Sequence, residues 1–282
     1  MSGLLRTSGP QGPDGAVLRI RPADAGWTYV SFDLHRLAPG AAIERPGDGA
    51  EVLVLILEGR ASVRVDDTMF PDLWSRDSVF DGPPPPMVLV EPGKSVKVVA
   101  TASALVAIAA APGGAVHRTA MIDSSDVFVE TRGQGRTARR VHQLLPATTV
   151  AGRLLAFEVY TAGGNWSSFP PHKHDTDDPP RESALEELYY YRFADPAGFA
   201  CQRVYTADRS LDATLTVGDG DLVLVPRGYH VVAAAPGYDC YYLNIMAGPL
   251  REWHFTVDPA HAWLMDWDPA HPSGTPDSGQ RS

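Results

Sequence analysis

Apolar positions along this chain fall in short runs cut by glycine, proline and polar clusters, with little recurrence at the three-to-four spacing of a helix. In the first half such runs occupy 27–34, 51–57, 61–65, 87–90, 96–100 and 105–109, rich in the β-branched and aromatic residues that favour strands. Four consecutive prolines, Pro83 to Pro86, have no amide donors for a ladder and predict a stiff extended connection. The stretch 123–145, with the sequence Arg-Gly-Gln-Gly-Arg at 132–136, is polar and reads as a link. A further strand is predicted at 153–160, and an aromatic one at 188–193.

The second half repeats the plan of the first. Placing Glu51 opposite Glu187, and 88–93 opposite 223–228, sets both halves in a common frame with about six strands each, the pattern of two antiparallel jelly rolls. The expected fold is therefore all-β, in two tandem barrels. Residues 1–122 would form the first barrel, 123–150 the linker, 151–268 the second barrel and 269–282 a flexible tail rich in proline, serine and glycine.

Candidate chemistry falls in one half only. His172 and His174 are two residues apart, so on a strand both side chains share a face, while Lys173 points the other way. Glu186 and Glu187 open the aromatic strand, and His230 follows a Pro-Arg-Gly-Tyr turn. His172, His174, Glu187 and His230 are the expected ligands of one metal ion, with Glu187 preferred to Glu186. Three imidazoles and a carboxylate suit a divalent transition metal (Zn, Mn, Fe, Co or Ni) better than Ca or Mg. In the common frame the first half has Ser95 opposite His230 and no histidine at 41–45, so only the second barrel is expected to bind metal.

Composition narrows the partners. Lys and Arg total 24 against 34 Asp and Glu, a formal charge of −10 that argues against nucleic acid or an anionic membrane surface. No run approaches a membrane span and no signal-peptide core opens the chain, so a cytoplasmic protein is expected. The two cysteines, Cys201 and Cys240, are expected to be reduced and buried.

The order His-x-His, Glu at a strand start and a distant His after a turn resembles the cupin superfamily, and the duplicated plan resembles a bicupin. The longer motifs at 163–176, 185–190, 202–205, 225–230, 241–249 and 258–263 together resemble the 5-deoxy-glucuronate isomerases of bacterial myo-inositol catabolism, a family related to 5-keto-4-deoxyuronate isomerase. Within the first 162 residues the best local match is 132–136. The chain departs at Tyr191, where the family is expected to carry histidine.

The resemblance implies a metal-dependent aldose–ketose isomerase that converts 5-deoxy-glucuronate to 5-dehydro-2-deoxy-gluconate through an enediol. It implies a small anionic sugar-acid substrate, and a homo-oligomer is an accompanying expectation. Glu187 and Tyr242 are candidates for proton transfer. Arg203 and Arg227 are candidates for the substrate carboxylate, and Asn244 for its hydroxyls. Trp166, Tyr189 and Trp263 are expected to pack, and His254 and His261 to lie in a C-terminal cap. His35, His117, His142 and His271 receive no role. Two other readings stay open: a non-catalytic sugar-acid-binding bicupin, and a cupin dioxygenase.

Overall fold

The computed structural model describes residues 3–113, 118–148 and 151–267. The tail at 269–282, His117 and His271 lie outside them. The fold is all-β and every strand pairing within its sheets is antiparallel. The first half builds an eight-stranded sheet that rolls up on itself. Its spine is two long strands, Ala50–Val65 and Val96–Pro112, where the sequence predicted two short strands each. They run on unbroken because Gly59, at φ 80°, lets the backbones close: a Cβ there would stand 1.8 Å from the Ser103 carbonyl oxygen.

The second half builds two facing sheets. One has the order Leu5–Arg6, Leu222–Val225, Glu186–Phe193, Cys240–Ala247, Leu155–Thr161, Arg139–Leu145 and Phe128–Arg132. The other runs Asp212–Gly218, Phe199–Tyr205, Tyr229–Ala234, Trp166–Lys173 and Thr256–Val257. The segment 123–150, expected as a linker, thus contributes two strands to the second barrel. Its polar character is that of an edge: Phe128–Arg132 is the last strand of its sheet and is largely open to solvent. At the opposite edge sits Leu5–Arg6, from the start of the chain.

Three apolar cores follow from strand alternation. One face of Ala50–Val65 turns Val52, Val54 and Ile56 into the first barrel, and the other turns Leu53, Leu55 and Leu57 outward. The strand Glu186–Phe193 does the same, with Tyr189 and Tyr191 inside the second barrel and Leu188 and Tyr190 outside. The two outward faces join in a single core between the barrels, which also holds Phe32, Tyr241, Leu243 and Ile245. Strands buried on both faces explain the unbroken hydrophobic runs of the sequence.

Two glutamates clasp this interface with matching geometry. Glu51 accepts hydrogen bonds from the backbone amides of Gly152, Arg153 and Leu154 in the second half. Glu186 accepts from Thr28, Tyr29 and Val30 in the first. The strand register agrees, because Val90 pairs with Val52 and its counterpart Val225 pairs with Glu187. The expected frame is therefore off by one: Glu51 corresponds to Glu186, and the counterpart of Glu187 is Val52. Deeper in the interface, Arg76 of the first half forms a buried ion pair with Glu158, which also contacts His142 Nδ1 at 3.0 Å and accepts from Tyr241 Oη at 2.8 Å. Burial alone would raise the Glu158 pKa, but the charge and hydrogen bonds of Arg76 and His142 together outweigh it and hold the group below the usual carboxylate range.

Replacing Glu51 by Gln leaves one acceptor oxygen for three amides and removes the charge that strengthens those bonds. Glu51→Gln is expected to lower unfolding free energy by about 1–3 kcal/mol in a urea titration. An unchanged midpoint would show that the clasp contributes nothing to stability.

Candidate metal centre and active site

Strand register brings the candidate ligands together. His172 lies directly opposite His230 across the Trp166–Lys173 and Tyr229–Ala234 strands. From the facing sheet, Glu187 projects inward beside Met246, and Asn244 pairs with Tyr189 on the same inward face. The three histidines present ring nitrogens within 4.8 Å of one another. Glu187 Oε2 stands 3.0 Å from both His174 Nε2 and His230 Nε2.

The orientation of each ring is set from behind. His172 Nδ1 donates to the Pro170 carbonyl at 3.0 Å, His174 Nδ1 to Leu185 at 3.1 Å and His230 Nδ1 to Gly228 at 3.2 Å. A carbonyl only accepts, so each Nδ1 carries its proton and each Nε2 is directed to the shared centre. Glu187 is fixed the same way, its Oε1 accepting from Asn244 Nδ2 at 2.5 Å.

The electrostatics of the cluster suit a cation. Glu187 is 3% exposed. Burial would raise its pKa, yet the neighbouring His230 and His174 hold it well below the usual range. His174 is lifted by Glu187 despite its own burial, and its Nε2 stands 3.0 Å from that carboxylate. Burial and the two adjacent imidazoles push His172 down. His230 Nε2 is buried, has no hydrogen-bond partner and faces the Glu187 oxygen at 3.0 Å. A cation between that nitrogen and the carboxylate oxygen would engage both. Three nitrogens and one carboxylate oxygen fit a divalent transition metal, and this cluster can hold one.

The centre opens into a cavity of about 430 Å³. Tyr242, Tyr189 and Asn244 line it on one side, Phe157, Phe169, Trp253 and Phe255 give it apolar walls, and Leu264, Met265 and Trp267 border it from the C-terminal segment. Tyr242 Oη is bonded to Ser167 Oγ at 2.5 Å. Its pKa is raised, mainly by burial, so the phenol is neutral.

Other expectations are corrected. Arg203 is on the outer face of the barrel, because its neighbour Val204 pairs with the inward His230 and side chains alternate. Its guanidinium is paired with Asp212 and stacked 4.4 Å from the Tyr205 ring centre. Arg227 is exposed in the turn before His230 and does not line the cavity. Tyr191 is fully buried behind Tyr189 and Tyr242, with its hydroxyl on Gln202, so the departure from histidine there falls outside the cavity wall. Tyr189, expected only to pack, lines the cavity, and Cys201 is exposed. Residues that the sequence reading did not place there are Arg132, Gln134, Thr137 and Arg139, carried in by the 132–136 signature and the strand after it.

Two antiparallel barrels in tandem, one with a His-rich centre and one with an apolar interior, make this chain a bicupin. The model of the KduI/IolB family matches residues 4–264, and the chain belongs to that family. It is 44% identical over 266 residues to the 5-deoxy-glucuronate isomerase of Geobacillus kaustophilus, covering 94% of this chain and 96% of the relative. The crystal structure of an IolB-like protein from Salmonella typhimurium LT2 superposes with a TM-score of 0.89 at 44% identity, covering 93% of this chain and 99% of that one. Oxalate decarboxylase from Lactobacillus farciminis, at 13% identity and a TM-score of 0.63 over 95% of this chain and 91% of its own, shares the fold.

Asn244 reaches the centre only through Glu187. Asn244→Ala is expected to weaken metal binding by roughly 10- to 100-fold, as loss of an outer partner typically does. His230→Ala is expected to abolish stoichiometric binding after dialysis, read by inductively coupled plasma mass spectrometry. Full metal content in His230→Ala would remove that residue from the ligand set.

Proposed function

We propose that this chain is an aldose–ketose isomerase interconverting 5-deoxy-glucuronate and 5-dehydro-2-deoxy-gluconate. The proposal includes one divalent transition metal (Zn, Mn, Fe, Co or Ni) held by His172, His174, Glu187 and His230. The observation that carries it is the convergence of these four side chains at the head of an apolar-walled cavity, in a chain whose relatives over nearly its full length are 5-deoxy-glucuronate isomerases.

The reaction moves a proton from the carbon next to the aldehyde onto the aldehyde carbon, and the hydroxyl proton of that same neighbouring carbon to the aldehyde oxygen, leaving a ketone beside a new hydroxymethyl group. No net oxidation occurs. When bound, the metal supplies a Lewis acid that stabilises negative charge developing on the substrate oxygens. The protein's own part is positioning and insulation. Phe157, Phe169, Trp253 and Phe255 exclude water, which strengthens every charge interaction in the cavity. Its volume is in the range of small-molecule sites.

Tyr242 is the cavity's neutral proton carrier. Its phenol donates to an oxygen gaining charge, and Ser167, 2.5 Å away, can return a proton to it. Glu187 acts as a ligand and not as the carbon base. Both its oxygens are engaged, and a carboxylate held well below its ordinary pKa is a weak base.

Incubating metal-loaded protein with 5-deoxy-glucuronate in heavy water, without oxygen, tests this reading by NMR. The expected product is the ketose, with deuterium in its new hydroxymethyl group where the transferred proton exchanges. Binding without turnover would favour a sugar-acid-binding protein, and turnover only with oxygen a dioxygenase. Tyr242→Phe is expected to lower kcat by about 10²- to 10⁴-fold, the usual scale for a proton carrier, with KM little changed.

A further inference from the structure

Of the two arginines on the cavity, Arg139 has no direct ion-pair partner among the described residues, and Glu130 acts on it only at longer range. Arg139, at the start of the Arg139–Leu145 strand, lines the same cavity as His172, Glu187 and Tyr242. Its guanidinium carries five N–H donors, and a single hydrogen bond engages it, from Nη1 to the Thr137 carbonyl at 3.0 Å. Among the described residues no carboxylate lies within ion-pairing distance of it. The other cavity arginine is different. Arg132 is bound to Glu130 at 2.6 Å and lies over the Trp253 ring at 5.0 Å. Glu130 is further occupied by Gln143 at 2.7 Å.

The 132–136 signature is built around this guanidinium. Gly133 has φ 76°, and a Cβ there would stand 2.2 Å from the Thr137 carbonyl oxygen and 2.8 Å from Arg139 Nη1. Only glycine lets the loop fold so closely over the side chain. Thr137 Oγ1 then ties the loop to itself through Gln134, and Asn165 Nδ2 holds the Ala138 carbonyl at 3.0 Å. The Arg139 stem is thereby fixed in advance, while Gln134 stands beside it on the cavity lining.

We propose that Arg139 is the substrate-binding residue that takes the carboxylate of the sugar acid, with Gln134 beside it, while the aldehyde end of the same molecule lies at the histidine cluster. The inference rests on the isomerase reading and adds to it the residue that selects an acid over a neutral sugar. A half-buried guanidinium with unused donors in a planar fork matches a carboxylate's two oxygens. It fills the role for which Arg203 and Arg227 are unsuited by position.

The test compares 5-deoxy-glucuronate with its uncharged primary amide. In Arg139→Met, kcat/KM for the acid is expected to fall by about 100-fold or more, the scale for losing a buried charged partner, and for the amide by only a few-fold. Metal content should match wild type, and Arg139→Lys should recover part of the acid activity. Equal losses on both substrates, or no loss on the acid, would overturn the proposal. Should Arg139→Met fail to fold, Arg139→Lys alone decides: it must lose more on the acid than on the amide. If wild-type protein turns over neither compound, the isomerase reading fails by itself. Calorimetric binding of the acid, expected to weaken by the same factor in Arg139→Met, then still tests the anion site, and unaltered binding would refute it.

Discussion

A buried carboxylate in an apolar barrel is the constraint on which this structure turns. Glu187 is almost wholly removed from water, and an ion so placed is destabilising unless opposite charge and hydrogen bonds surround it. Asn244 and His174 hydrogen-bond to its oxygens, and His230 Nε2 stands 3.0 Å away. Each imidazole is aimed by a backbone carbonyl behind it, so the cluster is ordered before any ligand arrives. A cation at this point satisfies the carboxylate and the unpartnered His230 nitrogen together.

The first barrel shows the same architecture without that charge. At the register position of Glu187 it has Val52, and its interior is a continuous apolar cluster. What both halves retain is the neighbouring glutamate, Glu51 or Glu186, which reaches the other half and gathers three backbone amides. Alternation along Glu186–Phe193 therefore gives adjacent residues opposite duties: Glu186 ties the barrels together and Glu187 turns into the centre. The strand bearing Glu187 has its outer face in the core between the barrels, so the apolar half serves as a rigid backing for the chemical half.

Much of this could be read in the sequence, because it follows from period-two alternation. His172 and His174 had to share a face, and the short apolar runs marked the strands. The errors share a cause as well. Arg203 belongs to the 202–205 motif but not to the inward face, since Ala200, Gln202 and Val204 alternate as the inward set. Glu51 and Glu187 stand one residue out of register with each other, which the ladder partners Val90 and Val225 expose. The 123–150 stretch read as a link because an edge strand has few apolar residues. Arg139 could not be found by periodicity, since its place in the cavity depends on a left-handed glycine two turns of loop earlier in a polar segment.

The most direct measurement of the central claim is anomalous diffraction from crystals of metal-loaded protein, recorded on both sides of the metal's absorption edge. One peak is expected per chain, within bonding distance of the Nε2 atoms of His172, His174 and His230 and of a Glu187 oxygen. A peak elsewhere, or none at this position with metal in excess, would contradict the account.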